Sequence, residues 1–262
     1  MLAAPARAQF EVSSEVDHTL YLQYEPIAVV TTIRSQLGQV VSLNADNENA
    51  RFYFLVRDAN GHELDRLPGV EQETLLLPAN GTLSVTSNLA RIYPVAKSGF
   101  YSVQPVVEWQ GRRYSGESRH LEVVPGREVA RLIGVVPADG TRRTYIVLHV
   151  SRKQQDQIAL RIDDEEQHLC YGVFPLGRAI LNKPPELAVD ANGYGHVLFQ
   201  TAPRIFIHAV FSPFGFLDSQ EEFGQEYTNI GLKSLPNGAI QATGKRDLNP
   251  GPRPVQSILG KP

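Results

Sequence analysis

A single cysteine, Cys170, stands in the 262 residues, so no internal disulfide can form and a thiolate zinc centre has too few ligands. Long apolar runs are missing as well. None approaches the roughly 18 residues of a membrane-spanning helix, and no integral membrane segment is predicted. There is no basic excess: 25 Lys+Arg face 28 Asp+Glu, and the net charge of -3 argues against a nucleic-acid binder, whose phosphate contacts leave a basic stripe. Helical periodicity is nearly absent. The best helix candidate, Val85 to Ile92, is too short, and one irregular turn is expected near Asn88 to Ile92. The chain also lacks a Gly-x-Ser-x-Gly elbow, a His-Glu-x-x-His pair, a phosphate loop and a dinucleotide fingerprint.

What is present has period two. Short runs rich in Val, Ile, Thr, Tyr and Phe alternate with Gly, Pro, Asn and Asp, the pattern of an all-β chain. Phe52, Phe54 and Val56 alternate with Tyr53, Leu55 and Arg57 before Asp58-Ala59-Asn60-Gly61 turns the chain, which predicts those three side chains in a core. Similar turns recur at Pro78 to Gly81, Pro137 to Gly140, Asp190 to Gly193 and Pro236 to Gly238. Pro125-Gly126 breaks the chain near its middle. The expected organisation is residues 1–9 as an export-signal remnant, 10–125 as one β-sandwich, 126–244 as a second antiparallel meander or sandwich, and 245–262 as a disordered tail. The remnant is read from Ala6-Arg7-Ala8 before Gln9, a small-x-small cleavage pattern, although only five residues precede Ala6; a flexible Ala-rich terminus is the alternative. A periplasmic or secreted location is the expectation.

Tyr24-Glu25-Pro26-Ile27, Leu75 to Pro78, and Gly99-Phe100-Tyr101-Ser102-Val103 together resemble bacterial extracytoplasmic immunoglobulin-like modules of the macroglobulin type. The resemblance covers about 110 residues and implies a sandwich with a tyrosine corner at Tyr101. Leu187 to Phe199, with Ile205 to His208 and Phe214-Gly215 after it, resembles a propeller blade. About 120 residues cannot close a propeller, so blade-like meanders stacked as a sandwich are expected instead.

Candidate chemistry is sparse. Trp109, Tyr114 and Tyr194 are the candidate ligand-binding aromatics, with burial in the sandwich the stronger expectation for Trp109. His149, His196 and His208 lie on different strands and are the one set that could converge on a metal. Cys170 reads as a buried, inert thiol, and Asp163-Asp164-Glu165-Glu166 as a solvated hairpin tip. Asp190 and Asn192 copy the start of a calcium loop but lack its later ligands, so a turn is expected. No cofactor is implied. The expected function is an exported, non-enzymatic binding or assembly module engaging a protein or glycan of the cell envelope. The alternatives are an accessory module of carbohydrate or peptide hydrolysis, and a metal-dependent enzyme built on the histidines.

Overall fold

A computed structural model describes residues 9–45, 50–138, 140–224 and 226–246. Apart from one 3-10 turn at Leu89–Arg91, the regular structure of these residues is all strand. That turn sits where the short helical candidate fails: Asn88 accepts from the Ala90 N–H and caps it, while β structure claims Thr82–Asn88. The chain divides into two compact units between Pro125 and Gly126.

The first unit contains β1 (Phe10–Val16), β2 (Leu20–Leu22), β3 (Ala28–Ser35), β4 (Val41–Leu43), β5 (Ala50–Asp58), β6 (Leu75–Leu77), β7 (Thr82–Asn88), β8 (Gly99–Trp109), β9 (Arg112–Ser115) and β10 (Arg119–Val124). One sheet runs β1-β3-β7 and another β2-β10-β8-β5, with β9 paired to β8 and a small β4-β6 pair beside them. Alternation fixes which faces meet. Val29 and Ile33 of β3 are buried while Val30 and Arg34 face solvent, and Phe52, Phe54 and Val56 lie in the same core. The tyrosine corner forms: Tyr101 Oη donates to the Lys97 carbonyl at 2.8 Å. Tyr101→Phe is expected to cost about 1 kcal/mol, the net worth of one such bond, measured by urea unfolding with Trp109 emission as the signal.

The second unit contains β11 (Arg127–Val135), β12 (Arg142–Arg152), β13 (Gln155–Asp164), β14 (Leu169–Arg178), β15 (Glu186–Val189), β16 (Gly195–Ala202), β17 (Ile205–Phe211), β18 (Leu217–Phe223), β19 (Tyr227–Ser234) and β20 (Ile240–Arg246). Two four-stranded antiparallel meanders, β11-β12-β13-β14 and β15-β16-β17-β18, share one core. Tyr145, Val147, Leu160 and Ile162 come from the first meander, and Val197, Phe199, Ile207 and Ala209 from the second. The opposite face of β16 and β17 carries His196, Leu198, Phe206 and His208. Leu198 and Phe206 pack there against Ile230, Leu232 and Ala242 of the β19-β20 hairpin. Its turn is tied to the β15-β16 turn by the Ala191 N–H donating to the Gly238 carbonyl at 2.9 Å.

One boundary differs from expectation. Lys245 and Arg246 continue β20, where Arg246 pairs with Tyr227 across the hairpin, so cross-strand pairing extends what composition alone would end. The rest of the expected tail, 247–262, and residues 1–8 of the expected signal remnant lie outside the described residues.

Candidate functional site

Of the three candidate aromatics, Trp109 and Tyr114 belong to the first unit and Tyr194 to the second. Trp109 and Tyr114 lie diagonally across the β8-β9 hairpin, Trp109 in register with Arg112 and Tyr114 with Val107, and both rings pack edge-on against Phe10, with centroids 5.9 and 5.1 Å away. Tyr114 Oη and Gln9 Oε1 lie 2.6 Å apart. These rings belong to the edge of the first unit's core. Tyr194, in the second unit, is half-buried at the β15-β16 turn, where its N–H donates to Asp190 Oδ1 at 2.8 Å. The same oxygen accepts from the Asn192 N–H, so Asp190 and Asn192 build an Asx turn.

The histidines all belong to the second unit but lie on three different strands. His149, on β12, lies 2.7 Å from Asp156 through Nε2. His196 and His208 are on the hairpin-facing side of the other meander, one step apart diagonally in the β16-β17 register. Their Nδ1 and Nε2 atoms are 3.0 Å apart, and the ring planes differ by 21°. Asp190 Oδ2 stands 3.7 Å from His196 Nε2, too far for a hydrogen bond, and that buried nitrogen has no bonding partner. The facing carboxylate keeps the proton on His196 Nε2. Nδ1 is then the acceptor, and His208 Nε2–H the donor, by assignment from the charge of Asp190. Burial lowers the pKa of both rings, that of His208 to about 4, with His196 adding to the effect on His208. Among the described residues, no group of three His, Cys, Asp or Glu side chains could hold a metal ion.

The acidic run overturns its expected role. Only Glu165 and Glu166 are exposed; Asp163 and Asp164 are buried at the end of β13. The cause is Arg143, a strand position two residues before the core residue Tyr145. Its Nη1 meets Asp164 Oδ2 at 2.8 Å, both side chains being only 2% exposed. Nη2 donates to Tyr171 Oη at 2.9 Å and Nε to the Pro213 carbonyl at 3.3 Å. The guanidinium also lies 4.7 Å from the Tyr171 ring centroid and 6.0 Å from that of Phe214. Arg161 takes Asp163 at 2.8 Å. Cys170 is half-buried beside them, and burial first, then Asp163, pushes its thiol up to about 12. Its reaction with a disulfide reagent at pH 8 is expected to be slow in the native protein and fast in denaturant, since the thiolate is the nucleophile.

Arg143 thereby pins the turn between β17 and β18. Ser212 closes that turn, its carbonyl accepting from the Gly215 N–H and its Oγ from the Phe216 N–H. Gly215 is required there: its φ is +82°, and a Cβ would come within 2.6 Å of Phe174 Cζ. On this fixed frame Phe214, Phe216 and Leu217 are 48, 70 and 54% exposed, three large apolar side chains within four residues. Sequence reasoning placed a turn at Phe214-Gly215 but missed its display of apolar side chains. The available signal was two phenylalanines flanking a glycine, followed by the non-alternating strand Leu-Asp-Ser-Gln-Glu-Glu-Phe.

Comparison with protein-family models finds no match, and comparison with curated proteins finds none either.

Proposed function

We propose that this protein is an exported, non-enzymatic binding or assembly module that engages a protein partner of the cell envelope. The observation that carries this reading is the pinned turn: Phe214 and Phe216 stand in solvent on a backbone held by Arg143 and Gly215. A rigid display of aromatics loses little conformational freedom on binding and fits the anchors of protein interfaces. The first unit is read as immunoglobulin-like, supported by its sandwich core and the Tyr101 corner, and the second as two blade-like meanders, supported by their sequential strand order. Both are scaffolds that carry recognition on loops and edges.

The test uses the full chain as bait in native cell-envelope extract, beside Phe214→Ser/Phe216→Ser. The expected result is a stoichiometric protein partner held by the wild type and lost by the variant. Nothing stoichiometric, together with fractionation of the protein to the cytosol, overturns the reading. Trp109 supplies a check on the glycan reading. Packed against Phe10, it is expected to keep its emission unchanged on titration with polysaccharides, and a saturable shift would instead make the first unit a sugar binder.

A further inference from the structure

The identity of the contact surface can be taken further, and this step rests on the protein-partner reading. β18 is the last strand of its meander, hydrogen-bonded to β17 on one side, and among the described residues no strand pairs with its other side. Leu217 to Glu222 are exposed at every position, on both faces of the strand. Neither the opposing meander nor the β19-β20 hairpin buries them. Its charge has one sign. Asp218, Glu221 and Glu222 lie on β18 and Glu226 just beyond it, while no Lys or Arg occurs between Arg204 and Lys233. No described cation forms an ion pair with the three on the strand. The exposed Phe214, Phe216 and Leu217 stand at the head of this edge.

We propose that β18 is a docking edge for an extended, lysine- or arginine-bearing segment of the protein partner, which adds as a fifth strand and rests an apolar residue on the Phe214–Phe216 turn. Backbone pairing supplies affinity in such additions, and alternate side chains supply selectivity. Carboxylates on both faces favour a cationic strand whichever way its side chains alternate, because opposite charges across a strand pair attract and like charges repel. The same rule sets a second copy of this chain against the first, since its own β18 would bring acid to acid. An acidic edge that only prevents aggregation is the competing outcome.

The experiment titrates the full chain with a blocked peptide of about ten residues, a usual strand length, alternating Lys and Val and ending in Phe. A Glu-for-Lys counterpart and an alternately N-methylated Lys peptide, which keeps charge but cannot pair along a strand, serve as comparisons. Expected are saturable binding of the Lys peptide with amide shifts along β18, and loss of at least about tenfold in affinity for the Glu and N-methylated peptides. The exposed charge-reversal variant Asp218→Lys/Glu221→Lys/Glu222→Lys is expected to exchange the preference toward the Glu peptide, the three cross-strand pairs together being worth about that factor. No binding by the wild type, equal binding of the N-methylated peptide, or an unchanged preference in the variant overturns the proposal. If the extract partner binds the charge-reversed chain as well as the wild type, the docking edge fails while the binding-module reading stands.

Discussion

Asp164→Ala is expected to destabilise the second unit by about 3–5 kcal/mol, the usual consequence of leaving a buried charge without its partner. Arg143 and Asp164 are each 2% exposed, so water cannot take over for the missing carboxylate. The remaining acceptors are neutral: the carbonyls of Arg142 and Pro213 and the hydroxyl of Tyr171. The double replacement Arg143→Met/Asp164→Leu is expected to regain most of that loss, because removing both ions also removes their desolvation cost. The lone Trp109 reports only on the first unit, so the measurement is hydrogen exchange at β12 and β13 amides together with urea unfolding by circular dichroism. A loss below about 1 kcal/mol for Asp164→Ala would show the pair to be solvated. The turn at Ser212–Phe216 hangs on the same arginine, so the double variant has a second expected effect: it stays folded yet holds the extract partner more weakly.

Acidification to pH 5 is expected to remove about 2 kcal/mol of stability through His208 alone. Its folded pKa of about 4 lies below the ordinary histidine value near 6.5, so between these two values the unfolded chain binds the extra proton. The contribution of the neutral ring is therefore complete above about pH 6.5 and is lost as pH falls through about 4. His196 acts in the same direction, with burial as its main cause and Asp190 and then Asp218 opposing it. Glu221, across the strand pair from His208, and Glu186, across from Leu198, are the other carboxylates in register on this face. Hydrogen exchange of Leu198 and Ile230 amides at pH 7 and pH 5 reads the effect where the small core meets the β19-β20 hairpin. In His208→Gln the difference between the two pH values is expected to shrink to less than half. An equal loss in the variant would assign the acid sensitivity to other groups.

The legible part of the fold was the part built by alternation. Phe52, Phe54 and Val56 announced a half-buried strand because period two places every second side chain on one face, and Asn-Gly turns marked where strands end. β18 carried no such mark. Its residues are exposed on both faces, so burial imposed no pattern on Leu217 to Glu222, and only hydrogen bonding to β17 makes it a strand. Asp163 and Asp164 misled for the opposite reason. Four consecutive acids read as a solvated turn until Arg143 and Arg161, distant or on the near strand, neutralise two of them.

The sequence by itself determined an all-β chain, the punctuation that cuts it into strands, and the apolar faces that must be excluded from water. Those follow from local geometry and the cost of exposing hydrocarbon, which each segment carries in its own residues. Only the tertiary structure decided that His196 meets His208 while His149 does not, that Trp109 rests on Phe10, and that two phenylalanines remain in solvent beside an acidic edge. These are relations between segments, fixed by strand order and register, and neither quantity is written in any one stretch of the chain.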